Sequence, residues 1–216
     1  MDEPLFWLGS SRDDVRAFPA PARRNAGFQL RRVQQGLQPI DWKWMPAVGT
    51  GVHEIRIHAG TEHRVFYTWH GSRTAFTSSM HSKNGLARPQ NETSSRRGID
   101  IETCSSRDGR KNMAKRKHRL ARSSGNVFRD LGFSPEEAEH LLIRADLMIQ
   151  IEKVLKERGL RQAQAAKLLR VTQPRVSDLL RGRIDLFSTD TLIDMLARLG
   201  IRVRLVTRRL RPSRVA

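Results

Sequence analysis

Between residues 22 and 37 apolar side chains recur every three or four positions. Ala22, Ala26, Leu30, Val33 and Leu37 build one stripe, and Arg23, Arg24, Arg31 and Arg32 fall mostly outside it. This spacing predicts an amphipathic helix, with Pro21 suited to its start and Gly36 to its end. Ahead of it, Ser10-Ser11 and Asp13-Asp14 suit the first turn of a short helix that Pro19 stops. The period then drops to two. Ile55 and Ile57 alternate with Glu54 and Arg56, and Val65, Tyr67 and Trp69 with Phe66 and Thr68, across the loop Ala59-Gly60-Thr61. The expectation is an α+β N-terminal module over residues 1–76, made of two helices and then an antiparallel hairpin.

After Trp69 the pattern fails. Residues 77–112 are rich in Ser, Thr, Arg, Asn, Gly and Gln and hold too few apolar residues to offset the ordering entropy. They run into the basic stretch Lys111–Arg119, so a disordered basic linker is expected over residues 77–125. From Ser134 the helical period returns. Ser134-Pro135-Glu136-Glu137 is a capping box, and Ala138, Leu141, Leu142, Ala145, Met148, Ile149 and Leu155 continue a stripe to Gly159. Three shorter helical segments follow. The end, Ile201–Val206, alternates basic and apolar residues and suits an exposed sheet edge or a phosphate-facing ribbon. Residues 126–209 therefore read as an all-α domain with a terminal β-strand.

Charge sharpens this picture. Forty Lys and Arg against 22 Asp and Glu give +18. A split at Met113 puts +6 before it and +12 after it. Such an excess favours a polyanionic partner, nucleic acid before an anionic membrane surface. The single cysteine, Cys104, excludes an intramolecular disulfide and a thiolate zinc site. No run approaches the ~18 apolar residues of a membrane span, and Met1-Asp2-Glu3 lacks the basic start of a signal peptide. A cytoplasmic protein with no membrane partner, no metal and no cofactor is expected.

The chemistry concentrates in residues 160–182, LRQAQAAKLLRVTQPRVSDLLRG. Ala165 and Ala166 allow two helices to approach closely; Leu168, Leu169, Val171, Val176, Leu179 and Leu180 supply a small core. Thr172 is placed to cap a second helix that starts at Gln173-Pro174 and stops at Gly182. A plain αα-corner would share this pattern. The segment resembles the helix-turn-helix of the Cro/cI-type (XRE) family, in which the second helix enters the major groove of double-stranded operator DNA. That resemblance implies base-edge contacts for Gln173, Arg175 and Asp178, and phosphate contacts for Thr172, Ser177, Arg181 and Arg183. Two positions depart from the family. Arg161 stands where a Thr or Ser cap is usual, and Arg170 where a turn glycine is common. The flanks NVFRDLGFSPEEAEHLLIRADL and IDLFSTDTLIDMLARLGIRVRLV resemble antitoxins of the HigA type over residues 113–209. The resemblance implies a homodimer on a palindromic operator, with Leu192, Ile193, Leu196, Leu199 and the terminal strand as apolar contacts, and a toxin of the RelE/HigB type as a further partner.

The front of the chain, FWLGSSRDDVRAFPAPARRNAGFQLRRVQQG with GVHEIRI and EHRVFYTW, resembles the HigB-type, RelE-like messenger-RNA ribonucleases. There the next strand resembles V-L-H-A-F-Q-K-K; here Thr77-Ser78-Ser79-Met80-His81-Ser82-Lys83-Asn84 stands instead. Read two bases downstream, these codons can encode V-L-H-A-F-Q-K, so the segment reads as a toxin gene that lost its frame near Ala75 and ran on into an antitoxin starting at Met113. No catalytic residue carries over, and the chain is expected not to be an enzyme. The competing reading is a working ribonuclease held inactive in cis. Arg56 and Arg64 match strand positions that would face RNA in that family, although a solvated strand face is the simpler reading. His53, His58 and His63 lack a Cys or carboxylate cluster for metal binding. Trp7, Trp42, Trp44 and Trp69 read as core or interface, and Gly49-Thr50-Gly51 is too short for a phosphate loop.

Overall fold

The computed structural model describes residues 2–70, 74–81, 120–204 and 206, with residues 69, 70 and 74–81 described by their backbone alone. The elements run β1 (Leu5–Leu8), α1 (Ser11–Arg16), α2 (Ala20–Gln34), β2 (Trp42–Trp44), β3 (Val52–Ala59), β4 (Thr61–His70), β5 (Thr74–His81) and β6 (Leu120–Arg122). The helical part follows as α3 (Val127–Asp130), α4 (Pro135–Glu157), α5 (Gln162–Leu169), α6 (Gln173–Leu180), a 3-10 turn (Ile184–Leu186) and α7 (Thr189–Arg198). The chain is thus an α+β mixture with a helical C-terminal region.

The six strands form one sheet in the order β2-β3-β4-β5-β1-β6. Its pairings are antiparallel except β1 with β5. The expected hairpin is β3–β4, turning at Gly60 with φ +79°, a conformation glycine reaches without a Cβ clash. Ile55 lies opposite Val65, so Ile55, Ile57, Val65 and Tyr67 share the buried face.

Three expectations change. Residues 74–81 form strand β5, so the chain keeps a strand after β4, and residues 77–81 belong to the sheet instead of a linker. A polar segment can hold this place because β4 on one side and β1 on the other satisfy its backbone groups, whatever its side chains. Residues 120–122, also expected in the linker, form β6 against β1. Residues 82–119, the remainder of that expected linker before β6, lie outside the described residues. The terminal strand is not formed over residues 201–204 and 206. Instead Ile201 N–H donates to Leu196 O (2.9 Å) and Gly200 N–H to Ala197 O (2.9 Å), closing the end of α7 with Gly200 at φ +78°. This Schellman-type cap turns the chain out of the helix, and Ile201 packs against the core.

Helix α2 departs most from its expected one-sided burial. From Ala26 to Gln34 every residue is buried, Arg31 and Arg32 included. One face meets the sheet, and the other meets α3 and α4. A single hydrophobic cluster runs from Leu5, Trp7 and Ile55 through Phe28 to Phe128, Met148 and Leu196, so both parts of the sequence share one core. The arginines that the periodicity places outside the stripe are what α2 offers to α4. Arg32 forms a two-pronged ion pair with Glu152, one arm at 3.1 Å. Arg31 binds Asp146 through Nε (2.7 Å) and Nη2 (3.1 Å) and reaches Asp2 at 2.7 Å. Burial alone would lower the Arg31 pKa, but these two carboxylates outweigh it and hold the guanidinium above its ordinary value. Arg24 reaches Glu137 (2.9 Å), and Gln35 donates to Asp146 (2.8 Å). At Gly27 the fit is closest: a Cβ there would lie 2.4 Å from the Phe128 ring. Trp7 completes the junction by donating from Nε1 to Asp130 at 3.1 Å, both residues buried.

A buried pair of this kind loses most when one charge is orphaned. Glu152→Ala is expected to cost about 3–5 kcal/mol in urea unfolding, whereas Arg32→Met with Glu152→Leu recovers most of that loss. Equal losses in the two variants would assign the site to packing instead of charge.

Candidate nucleic-acid interface

Helices α5 and α6 meet through Ala165, Ala166, Leu169, Val176 and Leu179, all buried. Of the expected core, Val171 and Leu180 are partly buried, and Leu168 is 38% exposed. The first helix starts without a side-chain cap at Arg161, but Gln164 Oε1 accepts from Arg161 N–H at 2.9 Å. The turn between the helices centres on Arg170, at φ 52° and ψ 46°, the one non-glycine residue with positive φ among the described residues. Here the left-handed conformation that glycine takes freely is imposed on a residue with a Cβ. Arg198 on α7 donates to the Leu169 carbonyl at the end of α5, which braces the turn.

Helix α6 begins at Gln173, after Thr172 in extended conformation. Thr172 stands at the cap position as expected, but its hydroxyl makes no cap bond to α6. Thr172, Gln173 and Pro174 are exposed at the N-terminal end of the helix, the end that such a module presents to a groove. Arg181 and Arg183 are exposed just beyond its C-terminal end, and Ser177 is half-buried between the two ends. The Arg181 side chain has no hydrogen bond or ion pair among the described residues, its backbone N–H donating to Ser177 O at 3.0 Å.

Two candidate base readers are less free than the sequence suggests. The Arg175 guanidinium lies 4.2 Å from the centre of the Phe187 ring and donates to the Leu186 carbonyl. A cation over an aromatic face with a backbone acceptor beside it is held in place, so Arg175 fastens α6 to the 3-10 turn. Asp178 is 22% exposed and pairs with Arg183 at 3.2 Å. The apolar residues expected at a dimer contact also go elsewhere. Leu192, Leu196 and Leu199 are 0–1% exposed inside the chain's own core, and only Ile193 of that set is partly open.

Beyond α6 the chain leans on its N-terminal half, a contact that no local pattern of residues marks. At Gly182, φ +71°, a Cβ would stand 2.5 Å from the Phe28 ring and 3.2 Å from Ile40. Nearby, Arg24 reaches Asp185 at 3.5 Å, while burial pushes the Asp185 carboxyl above its ordinary range.

The N-terminal candidates separate. Arg56 and Arg64 flank the buried Glu54 carboxylate at 3.5 and 3.2 Å. His53 stacks with Tyr67, His58 bonds Asp41 at 2.8 Å, and His63 lies buried beside Phe18. Trp7 is in the core, Trp42 is partly buried edge-on to His53, and Trp44 is 57% exposed. Among the described residues no three His, Cys, Asp or Glu side chains come together as a metal site, and no helix is long and apolar enough to cross a membrane.

Two packed helices joined by a tight turn, with polar and basic side chains exposed at both ends of the second, define a helix-turn-helix module of the DNA-binding regulator class. Residues 127–208 match the family described as a helix-turn-helix domain, and residues 13–95 match the family described as Phage derived protein Gp49-like. No curated protein matches the chain. The two matches together support an antitoxin-like helix-turn-helix protein whose front half is similar to a toxin–antitoxin-related family. The front match runs past residue 76, as β5 does.

Arg170→Gly tests the turn. Relief of the left-handed strain outweighs the greater chain entropy of glycine, so the variant is expected to gain about 1 kcal/mol in denaturant unfolding with DNA affinity unchanged.

Proposed function

We propose that the chain is a sequence-specific, DNA-binding transcriptional regulator of the HigA antitoxin type that represses its own toxin–antitoxin operon. In this reading residues 126–209 form the DNA-binding domain, and the front half is a frame-shifted remnant of a HigB-type, RelE-like toxin. The observation that carries the reading is the exposed first turn of α6, where Gln173 stands free with Arg181 and Arg183 beyond the other end of the helix. Gln173 reads a base edge, and Thr172, Ser177, Arg181 and Arg183 hold phosphates. Arg175 acts by holding α6 in place, and Asp178 by aligning Arg183. The chain binds a palindrome as a cytoplasmic homodimer, with half-sites about one turn, ~34 Å, apart or a multiple of it. The chain is not an enzyme. Although β5 is present as backbone, it carries Thr77, Ser78 and Ser79 where the resembled toxins place other residues, and a ribonuclease needs basic or imidazole groups around the scissile phosphate.

Gel-shift titration on a duplex selected by the chain from a random pool tests this. Gln173→Ala is expected to lose about 1–3 kcal/mol at one operator position, while Arg181→Ala weakens all sequences alike and lowers the salt dependence. Equal loss on selected and random duplexes for Gln173→Ala would remove it as a base reader.

A second reading, a fused toxin–antitoxin whose ribonuclease is held inactive in cis, is favoured by two observations. The strand after the hairpin is in place, and α2 is clamped on α4. Growth arrest on expression of residues 1–112 without the rest of the chain would favour it. No arrest by that fragment, with arrest once the frame is restored after Ala75, would favour the degraded toxin.

A further inference from the structure

A cleft of about 400 Å³ opens where the end of α6 meets the N-terminal half. Gln29 of α2, Asp41, Arg56 and His58 of β3 line one side, and Arg181 and Arg183 the other. Its two walls are held together, because the Gly182 backbone between the two arginines is seated on Phe28 and Ile40. The backbone positions of Arg181 and Arg183 at the cleft are therefore set by core packing against the N-terminal half.

The charges are unevenly offset. Asp41 is engaged with His58 at 2.8 Å and Asp178 with Arg183 at 3.2 Å. Glu54 is a single carboxylate shared between Arg56 and Arg64. Arg181 has no anionic partner among the described residues. The cleft thus keeps a net positive charge next to the helix that the proposed function places on DNA. A phosphodiester carries one negative charge and accepts hydrogen bonds from guanidinium groups with good geometry.

We propose that this cleft takes a backbone phosphate of the DNA bound by α6, so that Arg56, on the toxin-like half, forms part of the DNA interface together with Arg181 and Arg183. The proposal rests on the DNA-binding reading above. It gives the front half a role that needs no catalysis: Arg56 on β3 lengthens the phosphate track beyond the helix-turn-helix. Because phosphates carry no sequence information, the contribution is to affinity and salt dependence, and base preference is untouched.

The full chain, its Arg56→Ala variant and Arg12→Ala, a charge-matched change on α1 away from the cleft, are titrated at several salt concentrations. The probes are a duplex selected by the chain from a random pool, a random duplex and a single-stranded RNA of equal length. Arg56→Ala is expected to weaken both duplexes about threefold to tenfold at low salt and to reduce the slope of log K against log salt by about 0.9, with Arg56→Lys restoring most of the slope. Arg12→Ala should follow the wild-type chain, and unfolding midpoints of the variants show that the comparison is between folded proteins. Unchanged duplex binding by Arg56→Ala overturns the proposal, as does a loss confined to RNA. Saturation of the cleft by inorganic phosphate, read as a phosphate-dependent rise in melting temperature that Arg56→Ala abolishes while duplex affinity stays intact, overturns it in favour of a free-anion site. If selection yields no preferred sequence, the operator reading fails by itself, and the random-duplex titration still decides the cleft.

Discussion

The structure depends on one helix being buried on both sides. α2 lies between the sheet and α4, and a helix so placed must satisfy two surfaces at once. Toward the sheet it offers apolar side chains. Toward α4 it offers Arg31 and Arg32, which meet Asp146 and Glu152 in two-pronged pairs. Burying Arg31, Arg32 and Glu152 is costly, and it is tolerated only where each finds its partner in good geometry; Asp146, partly exposed, meets Arg31 from the rim. A shift of α2 along α4 by one residue would leave charges unpaired in the core. The pairs therefore act less as a reserve of stability than as a constraint that permits one docking of the front half on the back.

Two glycines allow that docking to be close. Gly27 lets α2 accept the Phe128 ring where a Cβ would overlap it, and Gly182 lets the end of α6 rest on Phe28. Phe28 lies one residue along α2 from Gly27, so one stretch of the helix positions both α3 and the end of α6. The consequence reaches the interface with DNA. The arginines on either side of Gly182 have their place fixed by the N-terminal half, not by the helix-turn-helix alone.

Within the helix-turn-helix itself the division of labour is also physical. The residues exposed at the start of α6 are free because neither neighbouring helix covers them. Arg175, two residues after Gln173, meets the Phe187 ring and the Leu186 carbonyl. The turn before α6 holds Arg170 in the left-handed region, with the α5 terminus braced by Arg198. Local strain is accepted there to set the angle between the two helices.

Much of this was legible in the sequence wherever the signal is local. The start of α2 near Pro21, the β3–β4 hairpin about Gly60, the Ser134 cap of α4 and the helix pair around residues 160–182 each follow from periodicity, capping and turn chemistry acting over a few residues. The exposure of Gln173 and Arg181 at the two ends of α6 follows in the same way, whereas their roles on DNA come from the resemblance alone. What the sequence could not determine is what long-range contacts decide. β5 has no apolar alternation and exists because β4 and β1 supply its backbone partners. The last segment alternates as a strand should, yet among the described residues it has no partner strand, and Ile201 closes α7 instead. Arg31 and Arg32 look like solvent-facing charges until carboxylates more than a hundred residues away cover them. Arg175, Leu192 and Leu196 look available for partners until Phe187 and the chain's own core claim them. In each case the sequence fixes what a side chain can bond to, and only the tertiary structure decides which atoms come within reach.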